Sequence, residues 1–415
     1  MTVIPWLGDV RFPVIAAKRV YSIVLGKMLQ PSPSDARDVE VSYFKSSSVQ
    51  WGGVNADPGI RMWASAREME DLAVRKGDLL VCEGGDVGRC AIYDGPGGFI
   101  FQNSIHRVRS RQGGDVRYFR YVLEALHGSS WLDVLCNKAT IRHLTGEKLG
   151  SLEVPHPEEY MQRQIADYLD AEVQRFDLVA QKRSEQSSLL QFHRAGALAR
   201  VFDQAASSVP TRLKYLMRKK PRYGVLVPEF VDDGAPFVRV NDLLDLRGRS
   251  ATLVRIPESL SQQYARTRVQ ANDILLGVVG TLGRAALAPV ELEGANIARA
   301  VASLRVRHDV DPGLIVRWIE TADFMRQALE ATGNDTAQPT LGMEDLANFK
   351  LRWPTDAHEQ RRLAQEVEEV AKHHDELTAC YEKQTRLLTE RRRALITAAV
   401  TGQIDVTTAR GVRVP

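Results

Sequence analysis

Cysteine is scarce in this sequence. Cys82, Cys90, Cys136 and Cys380 are scattered over 415 residues, with no C-x-x-C pair and no histidine at ligand spacing. That distribution argues against a disulfide scaffold and a structural zinc site, and for a reducing cytoplasm. Long apolar runs are missing as well. No stretch reaches the roughly 18 apolar residues a membrane helix needs, and MTVIPWLGDVRFP has no cationic region leading into an apolar one, so neither a span nor a signal peptide is expected. Charge of one sign is also lacking. Lys+Arg total 55 and Asp+Glu total 52, a formal net charge of +3, which leans only mildly towards anionic partners. Arginine outnumbers lysine; that suits phosphates and guanine edges, and it equally suits the codon bias of a GC-rich genome.

The tools of an enzyme are absent too. No G-x-x-x-x-G-K-[S/T] loop occurs, and Gly26-Lys27 is followed by Met28 without the upstream glycine. The segment VVGTLGR has the wrong glycine spacing for a dinucleotide loop. A DNA aminomethyltransferase would carry a Pro-Pro-Tyr type loop, and a common nuclease arm needs Glu-x-Lys; neither is present. The histidines form no H-x-x-x-H pair, and His373-His374 falls on a helical segment as a solvated or interhelical pair. No catalytic, cofactor-binding or metal-binding residue is therefore assigned, and the chain reads as a binding and scaffolding protein.

What is present is a repeat. VRKGDLLVCEGGDVGR (74–89) returns as VQANDILLGVVGTLGR (269–284), and EYMQRQIADYLDAEVQRFD (159–177) aligns without gaps to AHEQRRLAQEVEEVAKHHD (357–375). A period of roughly 195 residues is far longer than a solenoid unit, so whole domains are duplicated. The length alone predicts two to three domains.

Each half reads as a mixed α/β module followed by a long helix. Strands are predicted at 78–83, 90–93, 98–102 and 105–108, and in the second half at 273–279, 285–288 and 303–306. Helices are predicted at 118–126 and at 314–329, the latter started by Asp311-Pro312. After the proline-marked junctions VPHPEEY and RWPTDAHEQ, each half is helical for about 40 residues, about 60 Å at 1.5 Å per residue. Helices that long usually lean on a partner helix. Spacing by seven places Leu169, Phe176 and Leu190 on one helix and Val367, Tyr381, Leu388 and Leu395 on the other along matching stripes, with Ile165 and Leu363 one turn ahead of them. The stripes are interrupted by Arg183, Ala197 and His374, which predicts a closely packed antiparallel pair with an imperfect heptad seam. The fold class is α/β (α+β) modules, two in tandem with pseudo-twofold symmetry, separated by two long antiparallel helices forming a coiled-coil-like spacer. The expected boundaries are a first module at 1–157, a central helix at 158–204, a linker at 205–210, a second module at 211–355, a distal helix at 356–400 and a tail at 401–415.

Binding candidates follow from the twin turns Gly85, Gly88, Arg89 and Gly280, Gly283, Arg284. Paired glycines allow tight turns and expose amide N–H groups, and the arginine could meet a phosphate or a base edge; a plain hairpin turn kept by duplication is the alternative. Gln102 and Asn103, with Asn296 in the matching region, are amides able to pair bidentately with adenine, or merely to cap strand ends. Arg107, Arg109 and Arg111 lie two apart, so on a strand they face one way. Lys219, Lys220 and Arg222 with Tyr223 form a basic loop carrying an aromatic. Such groups give affinity and salt dependence without sequence information, or form a solvated basic face.

These features together resemble the specificity subunit of Type I restriction–modification systems. The resemblance rests on a module, a P-x-x-x-x-x-Q-R-x-[I/L]-A helix start, a second module, and the ending RRRALITAAVTGQIDV (391–406). Trp353-Pro354 through Glu359-Gln360 adds to it, as do VIPWLGDV, RVYSI and their echo LKYLM (213–217). It covers nearly the whole chain and departs from the pattern at Met161, where the second half has Glu359. The resemblance implies two target recognition domains, each reading half of a split double-stranded DNA target through the major groove. It implies a helical spacer that docks two methyltransferase subunits, which bind S-adenosylmethionine, and restriction subunits where cleavage occurs. The halves differ most at about 25–73 and 220–268, which predicts an asymmetric target. A free-standing bipartite DNA-binding regulator and a degenerate DNA-modifying enzyme are the competing readings.

Overall fold

The structure is a computed structural model that describes residues 2–55, 58–129, 131–136, 143–205, 207–333 and 339–408. Of the expected tail, 409–415 lie outside the described residues. The chain divides into two compact units: unit 1 comprises Met1–Lys182 and Gln384–Pro415, and unit 2 comprises Arg183–Lys383. Each unit therefore holds one module and a stretch of both long helices.

In unit 1 a four-stranded antiparallel sheet runs in the order Cys90–Ile92, Leu79–Cys82, Ile105–Ser110, Tyr21–Leu25. Beside it, Val39–Phe44 pairs in parallel with Phe99–Phe101 and antiparallel with Arg61–Ala64. Unit 2 repeats this plan. Ala285–Leu287, Ile274–Gly277, Val301–Leu304 and Arg222–Tyr223 form its four-stranded sheet, and Ala235–Val238 pairs in parallel with Asn296–Ile297 and antiparallel with Arg255–Ile256. Both units close with a two-stranded ribbon, Glu153–Pro155 on Val14–Ala16 and Lys350–Pro354 on Ser208–Arg212. The second ribbon takes in Ser208–Pro210, residues that the sequence assigned to a linker; their partner strand lies more than a hundred residues away, out of reach of local pattern.

The helix Val116–Gly128 starts at Asp115, whose carboxylate accepts from the N–H groups of Arg117 and Tyr118. Its apolar face, Phe119, Val122 and Leu126, is fully buried with Leu79, Val81 and Val108 beneath it; complete burial of such side chains is worth about 1.5–3 kcal/mol each. The single helix expected at 314–329 is two helices, Pro312–Ile319 and Ala322–Thr332. Thr321 breaks it: its hydroxyl accepts from the Phe324 N–H and starts a new N-cap inside an unbroken apolar pattern. Trp318, Phe324 and Phe349 then pack edge-on, with centroids 5.2 and 5.4 Å apart.

The long helices are Glu159–Gln204 and Ala357–Val400. Within each unit they run antiparallel. In unit 1, Asp177 pairs with Arg392, and Ile165, Leu169 and Val173 share a core with Ile396 and Val400. In unit 2, Arg194 pairs with Asp375, the Arg183 guanidinium lies over the Tyr381 ring, and Leu198 and Phe202 share a core with Leu363, Val367 and Ala371.

The repeated Gln-Arg at each helix start has a structural cause. Gln162 and Gln360 are buried. Gln162 accepts from the Asp115 N–H at 2.9 Å and donates to the carbonyls of Gly113 and Pro157. Gln360 accepts from the Asp311 N–H at 3.2 Å and donates to those of Asp309 and Pro354. Each amide ties its long helix to the cap of its own module's helix.

Candidate nucleic-acid interface

The four turn glycines all take left-handed backbone angles: Gly85 at φ 75°, Gly88 at 80°, Gly280 at 73° and Gly283 at 79°, a region open to glycine at little cost. Each turn closes through one matched bond, Cys82 N–H to the Arg89 carbonyl and Gly277 N–H to the Arg284 carbonyl, both 2.8 Å. Further on, Ile105 N–H donates to Gln102 and Val301 N–H to Ala298, while Asn103 N–H donates to Lys27 and Arg299 N–H to Val225, all at 2.9 Å. These bonds fix the equivalences Gln102 to Ala298 and Asn103 to Arg299. The chain enters this turn through Gly26 or Gly224, where a Cβ would collide with the Gln102 or Ile297 carbonyl.

Several sequence candidates turn out to hold the frame. Asn296 is fully buried, donates weakly to the Tyr264 carbonyl at 3.5 Å and sits where unit 1 has Ile100, so it is no counterpart of Gln102 and cannot meet a base. Arg107 and Arg109 do face one way, but inwards. Arg107 is buried, bonds the Ala73 carbonyl at 2.7 Å and lies 5.5 Å from the Phe101 ring centroid; burial and neighbouring Arg109 lower its pKa. Arg109 grips Asp78 with Nε and Nη2 at 2.5 and 2.7 Å. Unit 2 repeats this with Arg305 on Asp273 at 2.7 and 2.6 Å, and in both pairs the carboxylate bond raises the arginine pKa. Arg89 folds back to the Ser46 carbonyl at 3.0 Å and to Asp86. The Tyr223 hydroxyl is taken by the Leu341 carbonyl at 2.8 Å. Of the helix candidates, Ile165, Leu169, Phe176, Leu363 and Val367 are buried and serve helix packing, while Leu190, Tyr381, Leu388 and Leu395 are half-buried.

Other candidates stay available. Gln102, Asn103 and Arg284 are half-buried, and their side chains make no hydrogen bond among the described residues. Lys219 and Lys220 are exposed without an ion pair among the described residues, and Arg222 reaches only the Arg266 carbonyl at 3.4 Å. The structure adds what the sequence did not single out. Arg299 is exposed at the Asn103-equivalent position, and Arg266, Arg268 and Arg305 gather with Lys219 and Arg222 around one pocket. On the long helices the exposed large hydrophobic residues are Tyr160, Leu178, Leu189, Phe192, Leu377 and Leu387, none of them a predicted seam position. No cluster able to hold a metal occurs among the described residues, and no described helix is long and apolar enough to cross a membrane.

Comparison with known proteins fits this arrangement. Residues 66–186 match the family model of the Type I restriction modification DNA specificity domain. The chain is 25% identical over 292 residues to the Type I restriction enzyme EcoBI specificity subunit of Escherichia coli, a match spanning 62% of this chain and 60% of that protein. A chain solved in work on complex assembly and conformational transition of the type I R-M system superposes with a TM-score of 0.64 at 16% identity, covering 97% of this chain and all of that one, which shows a shared fold. The HsdS subunit of Thermoanaerobacter tengcongensis aligns over 97% of this chain and 99% of its own at 16% identity, with a TM-score of 0.47. One DNA specificity domain is thus matched in sequence, at 66–186, and the architecture of the chain is shared with a solved protein. The chain is similar to a specificity subunit of a Type I restriction–modification system.

Proposed function

We propose that this chain supplies DNA sequence specificity to a Type I restriction–modification complex, each module reading one half of a split, asymmetric target in double-stranded DNA. The observation that carries this reading is a shared frame with unlike exposed positions. The turns, their glycines and their closing bonds match, yet Gln102 and Asn103 stand where unit 2 has Ala298 and Arg299. An amide suits adenine and a guanidinium suits guanine, so the same turn would read different bases. The long helices set the distance between half-sites; at 1.5 Å per residue, 46 helical residues span about 69 Å, about two turns of B-DNA. Two methyltransferase subunits dock on the chain and bring S-adenosylmethionine and the methyl-transfer chemistry, and restriction subunits join where cleavage occurs. This chain itself performs no catalytic step.

Long-read methylome sequencing tests the reading, comparing cells expressing the chain and its neighbouring methyltransferase with cells lacking the chain. One new split motif with methylated adenines, lost without the chain, is expected, and Arg299→Gln should relax only one half of it. An unchanged methylome, with the chain alone retaining sequence-specific DNA from a random pool, would mean a free-standing regulator.

A further inference from the structure

The units part at the edge strand of the four-stranded sheet. In unit 1, Tyr21–Leu25 pairs without interruption, Tyr21 opposite Ser110 and Val24 opposite Arg107. In unit 2 the pairing holds at Met217 opposite Val306 and resumes at Arg222 opposite Ser303. Between those points unit 1 has Ser22 and Ile23, whereas unit 2 has Arg218, Lys219, Lys220 and Pro221. The extra residues push out as a bulge, and Pro221 has no N–H to give to the ladder.

The same place differs beneath the bulge. Unit 1 fills it with the Arg107 guanidinium, held by the Ala73 carbonyl and Phe101. Unit 2 has Ser303 there, whose hydroxyl reaches only Asp273 at 3.4 Å. At the bulge a pocket of 520 Å³ opens to solvent, with Lys219, Arg222, Arg266, Arg268 and Arg305 on its walls and Glu293 as the one carboxylate among its lining residues. Arg305 is committed to Asp273 and Arg268 to Glu258. Lys219, Arg222 and Arg266 have no ion pair among the described residues. In unit 1 the exposed cations Arg37, Arg67 and Lys76 are paired with Asp35, Asp71 and Asp94, while Arg11, Lys18, Arg19, Lys45 and Arg75 make no ion pair among the described residues. Three unneutralised cations converging on one polar hollow are positioned for a polyanion. Lys219 also lines a second hollow with Lys214, Arg218 and Lys220, so further cations lie beside the first pocket.

We propose that this pocket of unit 2 seats backbone phosphates of duplex DNA, a contact for which unit 1 has no equivalent. It rests on the DNA-binding reading above and adds an asymmetry of affinity to the asymmetry of sequence. At the matching edge strand unit 1 has Ser22, Ile23 and Val24, none of which can neutralise a phosphate.

The test is fluorescence anisotropy of the full chain with a short labelled duplex of arbitrary sequence, between 50 and 200 mM salt. Neutralising three phosphate contacts removes about 0.9 from the logarithmic salt slope per contact. The triple variant K219Q/R222Q/R266Q should therefore lose about 2.7 from that slope, or about 40-fold less affinity change over this salt range. All three residues are exposed, so the fold should be retained, with circular dichroism as the check. The unit 1 triple R37Q/R67Q/K76Q should leave the slope unchanged. Equal losses for both triples, no loss for the pocket triple, or no duplex binding by the wild-type chain would each overturn the proposal. A new methylated motif with an unaltered slope would sink the pocket alone. A reduced slope without any motif would keep the pocket and remove the specificity reading.

Discussion

The two units solve the same backbone problem and then treat charge differently. Asp78 and Asp273 each cap their own turn, accepting from Arg75 N–H and Gln270 N–H, and each pairs with an arginine on the neighbouring strand. Around that shared pair unit 1 packs two further basic side chains, Arg107 and His106, where unit 2 has Ser303 and Ala302. Unit 1 thereby buries two basic side chains at this place, and unit 2 has a cationic pocket beside it. Duplication thus preserves the aspartate–arginine pair that caps the turn, and leaves the side chains around it free to differ.

Removing the shared carboxylate is the harshest way to break this comparison. Taking one partner from a buried ion pair costs about 3–5 kcal/mol, because the remaining charge is stranded. Asp78→Ala should come near the upper end, since it strands Arg109 with Arg107 buried alongside. Asp273→Ala should cost as much, since Arg305 and Asp273 are no more exposed than Arg109 and Asp78 even though Arg305 borders a pocket open to water. Denaturant titration followed by hydrogen exchange in 79–110 and 274–304 would measure both; a clearly smaller cost in unit 2 would mean that the nearby pocket solvates the stranded arginine.

Much of this frame was legible in the sequence, and the gaps have physical causes. The echo of 74–89 in 269–284 located the matched strands and turns because Asp, Gly and Gly are demanded by backbone geometry, which duplication must keep. The strand period placed Arg107 and Arg109 on one face, yet period alone does not say which face is buried. Asp78, which decides it, lies 31 positions from Arg109. Asn296 was misread because equivalence was judged from residue type, while the hydrogen-bond register puts it opposite Phe237 in the buried parallel pair. Of the pocket cations Lys219 and Arg222 were legible as a basic loop, whereas their meeting with Arg266, Arg268 and Arg305 was not. They come from three separate segments, and one of them, the bulge, begins where the halves stop matching.

Acid sharpens the contrast. His106 is fully buried, 2.8 Å from the Leu144 carbonyl and 3.8 Å from Glu83, which in turn lies 4.0 Å from His143. Burial lowers its pKa from 6.5, more than the Leu144 bond and Glu83 raise it. The unfolded chain therefore binds this proton more readily than the folded one. The stabilisation is complete above pH 6.5 and declines as the pH falls below it, until the folded imidazole also protonates. Hydrogen exchange in 79–110 should quicken between pH 7.5 and 5.5 more than in 274–304, where Ala302 replaces the histidine. His106→Gln keeps a donor for Leu144 without titrating and should remove that excess; an excess that survives would place the acid sensitivity elsewhere.

The smallest difference is a single backbone angle. The turn before each shared aspartate needs a left-handed residue, and unit 1 uses Gly77 at φ 90° while unit 2 uses Asn272 at φ 64°. Asparagine tolerates that region near 57°, and other L-residues are penalised by about 1–2 kcal/mol. At φ 90° asparagine would be off its well, so Gly77→Asn should cost about 1 kcal/mol. Asn272→Gly relieves the folded turn but frees the unfolded chain by a similar amount, so its net effect should stay within about 0.5 kcal/mol. Asn272→Val, with no side-chain amide to compensate, should cost about 1–2 kcal/mol. Denaturation midpoints of the three variants rank these outcomes. If Gly77→Asn proved as harmless as Asn272→Gly, the two turns would be interchangeable and this last difference would be drift within a tolerant backbone.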